Sequence, residues 1–123
     1  MENIFTAKVL EWEKHPNADR LRVVKLDAGE HGIIGPVVCG AGNFDAGDIV
    51  VLALPGAQIA QNIHSAEHEP FVLGKAVIRG IQSQGMLCAG FELGLSREPE
   101  PAPEILVLPQ GTPIGSEFQP QMV

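Results

Sequence analysis

Basic residues are scarce in this chain: Lys and Arg number 8 against 15 Asp and Glu, a formal charge of -7. Dedicated nucleic-acid binders usually carry a basic stripe, because phosphate contacts supply most of their affinity. The scarcity argues against strong autonomous nucleic-acid binding. It leaves room for a local basic face, since the field depends on where the charges lie. Cysteine is scarce too. Cys39 (VVCG) and Cys88 (MLCA) lie in apolar contexts, at a separation that fits no compact zinc pattern. Buried free thiols are a simpler reading than a disulfide. No apolar run approaches the roughly 20 residues that cross a bilayer, and Met1–Val9 has neither the basic region nor the long apolar stretch of a secretory leader. A soluble cytoplasmic protein, away from membranes, is the expectation.

Signatures of catalysis are missing as well. Gly40-x-Gly42 lacks the third glycine and the following helix of a dinucleotide fingerprint, and there is no Walker sequence, HExxH or nucleophile elbow. Ser83, in IQSQG, has no glycine two residues before it. His15, His31, His64 and His68 are scattered; His64 and His68 stand four apart, but Pro70 and a polar loop argue against a helical metal pair. No enzyme, metal or cofactor is expected. An enzyme would need a pocket that gathers Cys39, a histidine and a carboxylate.

What is present reads as β-structure in one domain, residues 1–123, with a core at about 4–118. Ile4–Trp12, Leu21–Leu26, Pro36–Cys39, Phe71–Leu73, Ala76–Ile81, Met86–Ala89 and Ile105–Leu108 read as short strands. Ile49–Leu54 is a solid apolar run, the best candidate for a strand buried on both sides. Turn signals recur between them, and no amphipathic run separates strands as a βαβ fold requires. A sandwich or small barrel is the expected class. Phe91–Leu95 reads as one helical turn. The proline-rich segment 97–104 reads as a stiff connection, and Gln119–Val123 as a frayed end.

Two basic groups stand out. Lys14, Arg20, Arg22 and Lys25 lie around His15-Pro16-Asn17-Ala18-Asp19, among Glu11, Glu13, Asp19 and Asp27. That motif is either a stiff turn bonded to local backbone or a shaped loop beside a groove. Arg22 is the best single phosphate candidate there, because arginine can fork onto phosphate. Lys75 and Arg79 stand four apart on what reads as one strand, and so share a face. Gln82, Ser83 and Gln84 offer polar groups suited to a base edge or a 2′-hydroxyl, or are ordinary loop polars. Met86 and Phe91 offer an apolar shelf for an unpaired base, or Met86 packs in the barrel.

The motifs also stand in a telling order: HPNADRLRVVKLDAG from His15, VVCGAGNFDAGD from Val37, VLALPGA from Val51, KAVIRGIQSQGMLCA from Lys75, FELGL from Phe91 and ILVLP-x-GTPIG from Ile105. From about Ala7 to Gly115 the chain resembles the tRNA-binding domain near the amino end of the bacterial phenylalanyl-tRNA synthetase beta chain, here stand-alone or excised. The resemblance implies an all-β, OB-fold barrel with additional peripheral strands and little helix. It implies tRNA or other structured RNA as a weakly held partner, often by a homodimer, and no aminoacylation or editing site. The family's serine and methionine correspond to Ser83 and Met86, and its arginine–glycine pair to Arg79 and Gly80. OB barrels bind across strands two and three, where Arg22 and Lys25 fall. This chain departs from the family pattern in a lysine-poor FVLGKAV, in Gln84 and Ala89, and in a polar insertion, Ser65–Pro70. The expected interface is Lys14, Arg20, Arg22, Lys25, Lys75 and Arg79 on phosphate, with Ser83 and Met86 on sugar or base. The alternative is a protein–protein or dimerisation module that uses the acidic surface and Phe91–Leu95 against itself or a synthetase-like partner.

Overall fold

In the computed structural model, residues 1–100 and 102–123 are described. The strands are β1 (Ile4–His15), β2 (Ala18–Asp27), β3 (Ile33–Cys39), β4 (Ile49–Ala53), β5 (Gln58–Ile59), β6 (Phe71–Val72), β7 (Ala76–Ile78), β8 (Ile81–Ser83), β9 (Met86–Leu87) and β10 (Val107–Leu108). Gly29–His31 and Pro120–Met122 form single 3-10 turns. None of the helices among the described residues is long and apolar enough to cross a membrane.

An antiparallel sheet runs β10-β4-β1-β2-β3, and β9 also pairs with β4. β10 takes Ile49 and Val50 while β9 takes Leu52 and Ala53, so two short strands share one edge of β4. The register of β1 on β2 shifts at Leu10, and that of β2 on β3 shifts at Lys25. Such irregularities bend and twist a sheet locally, which helps it curl. At the far edge the Gln84 N–H donates to the Pro36 carbonyl (2.8 Å), and the Val38 N–H donates to Ser83 Oγ (3.0 Å). These bonds set the β8–β9 connection against β3 and close the curl into a barrel.

β4 shows how the sequence builds two cores at once. All five of its residues are buried. Successive side chains of a strand point to opposite faces. Val50 and Leu52 therefore enter the barrel interior with Ala7, Val9, Val24, Leu26 and Val37. Ile49, Val51 and Ala53 face a second cluster with Ile59, Leu93, Leu108 and Phe118. Each large apolar side chain so buried contributes roughly 1.5–3 kcal/mol.

The chain end completes the second cluster. The Phe118 N–H donates to the Ile4 carbonyl and the Gly115 N–H to the Thr6 carbonyl, at 2.8 and 2.7 Å. Buried Thr6 donates from Oγ1 to the Pro113 carbonyl (2.6 Å). The tail expected to fray instead forms the 3-10 turn at Pro120–Met122, and Met122 packs on the second cluster. Pro101 lies outside the described residues, so the stiff connection expected over 97–104 is described only in part. The stretch expected as one strand, Ala76–Ile81, is a hairpin: β7 ends at Ile78, and Arg79 and Gly80 form the turn.

Candidate nucleic-acid interface

The first two candidate motifs meet in space. Pro16 and Asn17 join β1 to β2, and Arg79 and Gly80 join β7 to β8. His15, fully buried beneath this junction, uses both ring nitrogens. Its Nδ1 accepts the Asn17 N–H (2.9 Å), so the proton sits on Nε2, which donates to the Ile78 carbonyl (3.0 Å). The Asn17 side-chain amide donates to the Arg79 carbonyl (3.2 Å). The HPNAD turn is therefore bonded to a remote hairpin as well as to its own backbone. Sequence spacing gives no sign of this, because the partners lie 62 and 63 positions apart.

The six basic candidates separate into two sets. Arg22 is folded onto its own protein. Its guanidinium lies 3.6 Å from the Trp12 ring centroid and 4.9 Å from that of Phe44, and donates to the Phe44 carbonyl (2.6 Å). Cation–π contact of this kind is worth about 0.5–2 kcal/mol. Trp12 in turn donates to Asp45 (3.0 Å), and this bond is the main reason the Asp45 carboxyl sits below its usual range. Arg22 thus closes the Gly40–Asp48 loop over the sheet. Lys14 pairs with Asp19 (3.2 Å) and Lys25 lies 3.9 Å from Glu11. Arg20, Lys75 and Arg79 are exposed, and none forms an ion pair among the described residues. Arg20 follows the β1–β2 turn, within a stretch of β2 whose register on β1 is interrupted between Ala18 and Arg22. Lys75 stands at the base of the β7–β8 hairpin and Arg79 at its tip. The pair does not share one strand face, since the strand ends before Arg79.

Ser83 is buried, accepting the Val38 N–H (3.0 Å) and donating to the Gly85 carbonyl (2.8 Å). It fastens the hairpin to β3 and presents no hydroxyl to a ligand, which corrects its assignment to sugar or base. Met86 pairs with Ala53 and packs on the second apolar cluster, half-buried. Gln82 is exposed on β8 opposite Val77, which is 70% exposed. A groove of about 360 Å³ crosses β1, β2 and β3, lined in part by Glu11, Trp12, Glu13, Lys25, Ile33 and Pro36. With two carboxylates beside one lysine, its walls are poorly suited to phosphate.

The alternative reading also meets a correction. Phe91, Glu92 and Leu93 are buried, and of the apolar residues in Phe91–Leu95 only Leu95 is exposed. The turn they form packs inward, with the Leu93 N–H reaching the Gly90 carbonyl (3.2 Å). Both cysteines are buried free thiols, and burial raises both, Cys88 the more. Among the described residues no group of three or more His, Cys, Asp or Glu is placed to hold a metal.

Other motif residues are joints. The Asn43 side chain donates to the Ile105 carbonyl (2.8 Å) and accepts the Ile105 N–H (2.9 Å), pairing with it as a strand would. Glu92 accepts the Ala89 N–H (2.8 Å), and its carboxyl is raised chiefly by burial.

Comparison with known proteins places this geometry. Residues 4–117 match the family described as "Putative tRNA binding domain". The phenylalanine–tRNA ligase beta subunit of Chlamydia pneumoniae is 44% identical over 116 residues, which are 94% of this chain and 14% of that protein. That of Bdellovibrio bacteriovorus is 40% identical over 116 residues, 94% of this chain and 13% of that protein. The chain thus spans about one seventh of the length of these curated relatives. Among solved structures, the C-terminal domain of Plasmodium vivax p43 matches with a TM-score of 0.55 and 23% identity, covering 92% of this chain and 56% of that one. This likeness supports the OB-type barrel that the family resemblance implies. The chain belongs to the tRNA-binding domain family and is homologous to a region of the phenylalanine–tRNA ligase beta subunit.

Proposed function

We propose that this domain engages the backbone of folded RNA, tRNA above all, where the β1–β2 turn and the β7–β8 hairpin meet, and performs no chemistry of its own. The observation that carries the reading is the separation of the cations. Arg20, Lys75 and Arg79 are exposed without an ion pair among the described residues, while Lys14 and Lys25 face carboxylates and Arg22 is folded onto Trp12. Few free cations and a net charge of -7 make the binding weak and strongly salt-dependent. Lys14 and Lys25 contribute less, since a phosphate must compete with Asp19 and Glu11. Arg22 acts by shaping the loop, and Met86 by supporting the hairpin base.

Titration of bulk tRNA at about 50 mM salt tests the proposal. We expect measurable affinity that falls when Lys75 and Arg79 are both replaced by alanine. Absent affinity, or affinity indifferent to that double replacement, overturns it.

A further inference from the structure

The turn that joins β7 to β8 has two residues, Arg79 with φ of 51° and Gly80 with φ of 90°. Two-residue hairpins with both central residues at positive φ favour Asn or Asp at the first and Gly at the second. Gly80 suits its place. Arg79 does not, because a left-handed residue with a long side chain brings its Cβ against its own carbonyl. Such a residue persists where the surroundings over-determine it, and these residues gather at functional sites. Asn3 and His68 are the other non-glycine residues described at positive φ. Asn is a usual occupant of that region, and His68 packs edge-on against Phe91, with ring centroids 4.9 Å apart. The Arg79 guanidinium has no hydrogen bond or ion pair among the described residues that could offset its backbone strain.

Hydrogen bonds from two sides hold the hairpin that carries Arg79. Two successive carbonyls of the hairpin, those of Ile78 and Arg79, accept hydrogen bonds from His15 Nε2 and the Asn17 amide. The Asn17 N–H fixes the His15 tautomer that makes the first bond possible. On its other side the hairpin is fastened to β3 through Ser83 and Gln84.

We infer that His15 and Asn17 are positioning residues, which hold the Ile78 and Arg79 carbonyls and so fix the left-handed turn that presents the Arg79 guanidinium to an RNA phosphate. The inference rests on the RNA-binding reading above. It assigns the HPNAD motif a role in aiming a cation that stands on another hairpin.

A double-mutant cycle on tRNA affinity tests it. Replacing Arg79 by glutamine weakens binding on the order of threefold to tenfold, as loss of one phosphate contact does. Asn17→Ala weakens binding by about threefold when Arg79 is present and has no effect when residue 79 is glutamine. Amide exchange at Gly80 and Ile81 quickens in Asn17→Ala. Arg79→Gly moves two readouts in opposite directions: the melting temperature rises as strain is relieved, and affinity falls. Three results overturn the inference: Asn17→Ala leaves affinity unchanged, Asn17→Ala lowers affinity equally in both backgrounds, or Arg79→Gly lowers the melting temperature. If Arg20→Ala and Lys75→Ala weaken binding while Asn17→Ala does not, the positioning role fails and the RNA-binding reading stands. If the unaltered protein does not bind tRNA at all, both fall.

Discussion

A serine hydroxyl that accepts one backbone hydrogen bond and donates another has little left to offer a ligand, and Ser83 is in that state. Its replacement by alanine leaves the Val38 N–H without a partner in a buried setting. We expect Ser83→Ala to cost about 1–3 kcal/mol of stability, read from urea unfolding. Glu92 makes a different prediction. Burial raises its carboxyl above the usual range, against the lowering effect of the Ala89 N–H. The folded state therefore holds a proton more tightly than the unfolded state, so stability is greatest below the usual carboxylate range and falls as pH rises through the raised value. Glu92→Gln keeps the acceptor oxygen and removes the charge. We expect its melting temperature to exceed that of the parent at pH 7, and the gap to close in acid.

At the scale of elements, glycine spacing decides how closely strands approach. A Cβ built on Gly85 would lie 2.6 Å from the Ala53 carbonyl oxygen, at the point where β9 meets β4. Backbone on that side cannot move without disturbing both clusters that β4 joins. Gly85→Ala should cost about 1–3 kcal/mol, measured by chemical unfolding. Legibility also differs by element. β4 was readable because five consecutive apolar residues can be buried only if both faces are covered. The β7–β8 hairpin was not readable. Arg79 carries no local turn signal, and its conformation is imposed by His15 and Asn17 from another hairpin. The Gly40–Asn43 loop belongs between these cases: its glycines mark a turn, but nothing local says that Asn43 closes on Ile105.

For the molecule as a whole, charge sets the expected strength of RNA binding. With Arg20, Lys75 and Arg79 as the main contacts, affinity should fall about 10- to 60-fold between 50 and 200 mM salt, followed by fluorescence titration. A flat response would mean that phosphate contacts do not supply the binding. The sequence by itself determined the class of fold, through strand-length apolar segments with turn signals between them, and the family, through motifs in a fixed order. It also settled that the charge is low, because composition does not depend on folding. Only the tertiary structure decided which cations are free. Ion pairing, cation–π contact and burial depend on neighbours distant in sequence, so Arg22 and Ser83, the most suggestive residues by chemistry, became supports. Arg79, set in a turn by contacts 62 and 63 residues away, became one of the exposed cations.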